Sequence, residues 1–477
     1  MMKLLMLMLM LMLLMMMTTT ESYSIINNNR GLDSRYSSRR SAVSDTRTSV
    51  YEDSAITDLL VSVGGNSDSL ALENTFRVFT TSSTFVNEFW QKKPFLCKES
   101  IRNIAGGFGM KDVKESVDSD FIEAGRGTFS EKSGGWNMAT VSTPRGSSFE
   151  DAKLRFEDVQ MALKQTSGTV VFNSAGGFIP KLAGVCLDAL NAFQYPTALN
   201  MYLTNAGQKT SAPPHTDKQD VFVLQTQGFK RWRVFAPPPT ARMPKADPYA
   251  RGKNKDVLDL SELSEPLIDH VMSPGQVLYV PGGFPHTTDT VTGINSDSDP
   301  SVHLTLGVDS HIWDLSYAGL RKLALMKAGI NDKAVLTKTD YYWTLQDALP
   351  LGFLAPDRES SIDEHKKRIF EGLISRLRLV EPTKWPESIP DSEIVSRLSL
   401  HDLYPRIVQH HADITDLFGK MYADVAFKIT PTKMDLSFFR SQPYFTQLEN
   451  TMEGYLTWAK ATKPSAAGRG GGFAKRG

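Results

Sequence analysis

His215-Thr216-Asp217 and, further along, Gly275-Gln276-Val277-Leu278-Tyr279-Val280-Pro281-Gly282-Gly283-Phe284-Pro285-His286 are the two stretches on which the fold turns. Side chains alternate along a strand with a period of two. The first stretch therefore predicts His215 and Asp217 on one face of one strand, at a spacing that lets both grip one ion. The second opens at a Pro274-Gly275 turn, runs as an apolar strand from Val277 to Val280, and breaks at Pro281-Gly282-Gly283 before a third donor, His286. Two imidazoles and one carboxylate form a facial donor set that leaves coordination positions open and suits non-haem iron(II).

Around these stretches lie further short strands. Leu199 to Thr204 places Asn200, Tyr202 and Thr204 on one face, and Val302 to Val308 does the same for His303 and Thr305. Asp220 to Gln225 and Phe229 to Phe235 flank a Gln227-Gly228 turn and predict a hairpin on which Lys230 and Trp232 point together. Short strands joined by Gly/Pro turns predict an α+β fold with a mainly β core, an antiparallel jelly-roll barrel whose interior can hold a ligand. Upstream, Thr84 to Gln91 carries a helical apolar stripe that ends at Lys92-Lys93-Pro94. Residues 100 to 150 are Gly- and Ser-rich and read as loop. Phe149 to Gln165 and Ile179 to Phe193 read as helices around a strand at Gly168 to Asn173. Downstream, Trp313 to Lys327, Ile362 to Leu379 and Ser392 to Val408 have helical periodicity.

The chain of 477 residues therefore divides into a leader (1–50), a helical and loop-rich lead-in (51–150), a barrel (151–312), a helical C-terminal region (313–460) and a basic Gly-rich tail (461–477). Lys plus Arg and Asp plus Glu both number 53, so no global field selects nucleic acid or an anionic membrane, and no specific nucleic-acid partner is expected. Cys97 and Cys186 are the only cysteines. They exclude a four-cysteine zinc site and are compatible either with one bridge or with two free thiols. Leu and Met alone fill positions 4 to 17 after Lys3, too short for a comfortable span and suited to the apolar core of a secretory signal. The Ser-, Asn- and Arg-rich stretch that follows, to about Val50, has the composition of a transit segment. The expectation is a secretory or organellar address, with no membrane span in the mature chain.

Read together, these residues resemble a known family. Gly275-x5-Pro281-x-Gly283-x2-His286 has the form of the second cupin motif. With it, Asn200-Met201-Tyr202-Leu203-Thr204, Pro214-His215-Thr216-Asp217, Val223-Leu224-Gln225, Gly228-Phe229-Lys230-Arg231-Trp232 and His303-Leu304-Thr305 resemble the JmjC-type ribosomal oxygenases. The resemblance covers about residues 80 to 310. It implies a double-stranded β-helix barrel and a 2-oxoglutarate dioxygenase that hydroxylates histidyl or arginyl side chains of proteins, including ribosomal ones. It implies His215, Asp217 and His286 as Fe(II) ligands, with 2-oxoglutarate and O2 taking the open positions. Lys230 is implied as the partner of the far carboxylate, and Asn200, Tyr202 and His303 as lining of the cosubstrate pocket. A homodimer formed through the helical region, a winged-helix-like segment and a nuclear or nucleolar setting also follow from the likeness, the last in conflict with the leader.

Rival readings are weighed against particular residues. Non-oxidative cupins commonly carry a His-x-His pair followed by Glu; here Asp217 replaces the second histidine and no Glu lies between 217 and 228. A JmjC histone lysine demethylase shares the triad, which cannot separate the two reactions. A non-catalytic cupin-fold binding protein has no need to keep three ligands and a lysine. Gln225 and Trp232 fit barrel packing as well as function. His410-His411 diverge on any regular element and read as surface rather than metal site.

Overall fold

Alternation along the strands decides which residues face the barrel interior and which face its helical cover. The computed structural model describes residues 49–65, 70–119, 155–164, 169–172, 174–217, 219–237, 258–291, 299–309, 315–329, 348–353, 362–380 and 400–429, with 121, 136–138, 313 and 345. The leader up to residue 48 and the tail from 461 lie outside the described residues, as do 430–460. The strands are β1 (Phe95–Cys97), β2 (Trp136–Met138), β3 (Thr169–Phe172), β4 (Thr197–Thr204), β5 (Ala212–His215), β6 (Asp220–Gln227), β7 (Lys230–Val234), β8 (Ile268–Met272), β9 (Val277–Val280), β10 (His286–Asp289) and β11 (Ser301–Val308). They form two antiparallel sheets, β1-β9-β6-β11-β4-β3-β2 and β5-β10-β7-β8. From β4 to β11 successive strands switch between the two sheets, except that β7 and β8 pair with each other in the smaller one, which is the jelly-roll pattern expected of a double-stranded β-helix.

The faces follow the period of two. Val221, Val223, Leu278 and Val280 of the larger sheet pack against Trp232, Val234, Ile268 and Met272 of the smaller one, filling part of the interior. Phe222, Leu224, Leu199, Met201, Leu304 and Leu306 point the other way, into a core shared with the helices. Helices α1 (Ser54–Val63), α2 (Glu73–Thr81) and α5 (Pro180–Phe193) supply that cover, with α3 (Met110–Asp118) and α4 (Phe156–Lys164) between. Phe79, Phe85, Phe95 and Phe222 meet at centroid distances of 4.8 to 6.1 Å. Each such ring contributes about 1.5–3 kcal/mol by leaving water.

The hairpin expected around Gln227-Gly228 is not a paired hairpin. β6 bonds to β9 and β11, whereas β7 bonds to β10 and β8 in the other sheet. Gly228 is the corner: at φ +64° it takes a left-handed backbone, and a Cβ there would sit 2.8 Å from the Pro300 carbonyl oxygen. The turn thus carries the chain across the barrel rather than back along one sheet. In the region expected to be loop, α3 forms over Met110–Asp118, with the Asp112 carboxylate accepting from the Gly109 N–H at 2.9 Å.

The C-terminal region is helical where described: α6 (Tyr317–Lys327), α7 (Ile362–Val380) and α8 (Leu400–Ala426). Helix α8 runs well past the Val408 boundary read from periodicity. Its His411 is buried, not exposed as expected, and donates Nε2–H to the carbonyl of Gln194, the left-handed residue that ends α5. His410 bonds the Trp313 carbonyl at 2.7 Å. Both rings therefore tie α8 to main-chain carbonyls far away in sequence, at the end of α5 and at Trp313, which their adjacency in sequence did not suggest. Cys97 and Cys186 are both buried and free. Among the described residues no helix is long and apolar enough to cross a membrane.

Candidate metal centre

His215 ends β5 and His286 begins β10, and the two face each other as cross-strand partners. Each ring is held by the same local device. Nδ1 of His215 bonds the carbonyl of Pro213 at 2.7 Å, and Nδ1 of His286 bonds that of Phe284 at 3.1 Å. A carbonyl only accepts, so both Nδ1 atoms carry hydrogen and both Nε2 atoms are left to bind something else. The Asp217 carboxylate stands 3.8 Å from Nε2 of His215 and 3.5 Å from Nε2 of His286. One ligand atom from each residue lies within 4.8 Å of the other two. Two imidazole nitrogens and a carboxylate converging at this range are electron-rich atoms that a cation brings together, and the donor set fits a divalent transition metal.

Asp217 reaches this position from beyond the strand. β5 ends at His215, so the shared strand face expected for the pair is not what aligns them. Instead the main-chain carbonyl of Asp217 accepts from the N–H of Gly283 at 2.7 Å, tying the first motif to the turn that leads into His286. Asp220 fixes the same turn from the other side, accepting from the Tyr279 hydroxyl at 2.7 Å. Burial and that carboxylate hold the Tyr279 phenol well above its ordinary pKa, so it remains a donor. The histidines are 2% and 4% exposed at the side chain and Asp217 19%, so the centre opens to solvent on the carboxylate side.

Further inside, Lys230 is 1% exposed and donates from Nζ to Thr204 Oγ1 at 2.9 Å. A lysine buried in a barrel is suited to neutralising a carboxylate there. His303 and Tyr202 are register partners on β11 and β4, and their rings stack with centroids 4.7 Å apart and planes within 6°. Trp232 lies over His286 at 5.8 Å and edge-on to His303 at 5.4 Å. The predicted residues are thus brought to one interior, with one adjustment. Asn200 gives its carbonyl oxygen to the Ser174 N–H at 2.8 Å, holding that residue at φ +54°, so what it can still offer a ligand is its amide donor. Thr204 was not singled out from sequence, although its place two residues beyond Tyr202 on the same strand face was the available signal. Gln225 is structural: its amide bonds Ser301 Oγ at 3.0 Å and the Gln227 carbonyl at 2.8 Å. His270, across from Trp232 on β8, bonds Gln276 at 2.9 Å, and burial lowers its pKa.

Residues 178–314 match a family described as JmjC domain. The rat (Rattus norvegicus) protein named ribosomal oxygenase 2 is 28% identical over 228 residues, 47% of this chain and 44% of its own length. A Drosophila melanogaster protein named bifunctional lysine-specific demethylase and histidyl-hydroxylase NO66 is 35% identical over 131 residues, 28% of this chain and 18% of its own. The chain thus spans less than half the length of these curated relatives. Among solved structures, the Escherichia coli ribosomal oxygenase YcfD in complex with cobalt and 2-oxoglutarate aligns over 63% of this chain and 68% of its own, with 15% identity and a TM-score of 0.32. Residues 178–314, which hold most of the jelly-roll barrel and the His/Asp/His cluster inside it, thus match the JmjC domain, and the chain is similar in sequence to proteins named ribosomal oxygenase 2 and NO66.

Proposed function

We propose that this chain is an Fe(II)- and 2-oxoglutarate-dependent dioxygenase that hydroxylates a side chain of a protein substrate, with release of succinate and CO2. The observation that carries the reading is the convergence of His215, Asp217 and His286 in the same barrel that buries Lys230. The three ligands would hold iron, and Lys230 with Thr204 would hold the far carboxylate of 2-oxoglutarate. Bound together, iron and 2-oxoglutarate supply the oxidation of a C–H bond by O2, one oxygen atom entering the substrate and the other entering succinate as CO2 leaves. The chain's own part is positional. The Pro213 and Phe284 carbonyls keep both imidazoles in one tautomer and orientation, and the Gly283–Asp217 bond keeps the carboxylate between them. The stacked Tyr202–His303 pair forms a flat wall, and Trp232 screens His286 from water.

A histidyl or arginyl residue of a ribosomal protein is the substrate class we infer, supported by the names of the relatives. A homodimer formed through the helical region is the assembly this kinship suggests. Hydroxylation is favoured over lysine demethylation because oxygenation is common to the names of both relatives, ribosomal oxygenase and histidyl-hydroxylase, whereas demethylation is in only one of them. The intact ligand set disfavours a binding protein without chemistry. The test is turnover of the full chain with Fe(II), 2-oxoglutarate and O2 on ribosomal proteins, followed by mass spectrometry. One added oxygen atom on histidine or arginine, matched by succinate, is the expected result. Loss of a lysine methyl group from a histone peptide would favour demethylation, and 2-oxoglutarate left unbound would overturn the oxygenase reading.

A further inference from the structure

The indole of Trp232 carries a buried donor that barrel packing does not use. Trp232 is 4% exposed, and its Nε1–H has no hydrogen-bond partner among the described residues. A buried polar group without a partner costs about 1–3 kcal/mol, and a tryptophan serving only as filler would be replaced by phenylalanine at no such cost. Its two cross-strand register neighbours each have a hydrogen-bond partner of their own. Trp232 stands in register with Thr288 of β10 and His270 of β8. Thr288 Oγ1 is paired with Ser211 Oγ at 2.7 Å, and His270 Nε2 with Gln276 at 2.9 Å.

Its position points to what the donor is for. Trp232 lies two residues beyond Lys230 on β7, so the two side chains leave the same strand face, about 7 Å apart along it. On its other side the ring stacks over His286 and meets His303 edge-on. The indole therefore lies between the cation implied for one end of the cosubstrate and a metal ligand at the other.

We propose that Trp232 is a cosubstrate-binding residue whose Nε1–H donates to a carboxylate oxygen of bound 2-oxoglutarate. The inference rests on the dioxygenase reading, and it adds a neutral, directional donor to a pocket otherwise anchored by the charge of Lys230. Such a donor discriminates ligands by oxygen position rather than by charge alone.

The experiment is an NMR titration of the Zn(II)-loaded full chain, labelled at tryptophan indole nitrogen, with 2-oxoglutarate. Calorimetry on wild type and Trp232→Phe runs beside it. The cross-peak missing from the Trp232→Phe spectrum identifies the Trp232 indole, and that peak is expected to move downfield on saturation. Trp232→Phe keeps an aromatic ring beside His286 and is expected to bind 2-oxoglutarate roughly ten- to a hundredfold more weakly, the loss set by one hydrogen bond to a charged group. Wild type that binds 2-oxoglutarate while the Trp232 peak stays in place and Trp232→Phe binds equally well would overturn the inference and leave the dioxygenase reading standing. Wild type that does not bind would overturn that reading and this one with it. The indole shift itself is read on wild-type protein, and Trp232→Tyr supplies the same missing cross-peak for the assignment where Trp232→Phe packs poorly.

Discussion

His215 and His286 face each other across β5 and β10 with ring centroids 4.3 Å apart, and the Asp217 carboxylate lies within 3.8 Å of both Nε2 atoms. Holding the rings by their i−2 carbonyls separates the orientation of the ligands from the binding of the ion. His286→Ala should therefore abolish stoichiometric iron binding while changing the unfolding midpoint of the metal-free protein only modestly. Metal analysis after dialysis, beside a thermal melt in chelator, checks both halves.

Lys230 gives a different signature. Lys230→Met keeps the length and apolar stem but removes the charge, so the KM for 2-oxoglutarate should rise on the order of a hundredfold, the scale of a charged hydrogen bond. Iron stoichiometry should be unchanged. Steady-state kinetics with varied 2-oxoglutarate reads the first, and loss of iron together with cosubstrate would count against the separate roles assigned here.

Two glycines test the corners. Gly283 has φ +82° with open space where a Cβ would go, so Gly283→Ala should cost about 1–2 kcal/mol from backbone strain alone. Gly228 has φ +64° and its Cβ would meet the Pro300 carbonyl oxygen at 2.8 Å, so Gly228→Ala should cost clearly more. Denaturant midpoints rank the two, and equal effects would contradict the crossing at residue 228.

Much of this was legible in sequence because it is local. Period-two alternation gave the strand positions and the shared face of Lys230 and Trp232, and β9 falls at Val277–Val280 as read. Partner choice was not legible. Whether β6 pairs with β7 or with β9 depends on contacts far apart in the chain, and Gly228 looks alike in a hairpin and in a crossing. Asp217 illustrates the same limit at the site. Its spacing from His215 was right for a ligand, but the Gly283 N–H rather than strand alternation holds it. His411 was misread because a histidine next to another histidine carries no sign of the carbonyl it will meet on a different helix.

His411 also predicts a pH dependence. Burial, with a smaller contribution from His410 and against the hydrogen bond to Gln194, lowers its pKa from 6.5 to about 4. The fold therefore favours the neutral ring. The stabilisation is fully present above the unfolded pKa of 6.5 and is lost as pH falls toward about 4. A shift of this size is worth a few kcal/mol. Urea unfolding between these limits should show wild type losing stability more steeply than His411→Gln, which keeps a donor and does not titrate.

The central claim is that one centre made of His215, Asp217 and His286 receives 2-oxoglutarate through iron. Anaerobic calorimetry of 2-oxoglutarate into the Fe(II)-loaded full chain, set against the metal-free chain and Asp217→Ala, tests it most directly. The account predicts saturable binding to the Fe(II)-loaded wild type, much weaker binding without metal, and none that depends on iron in Asp217→Ala. Binding that is the same with and without Fe(II), or undiminished in Asp217→Ala, would contradict it.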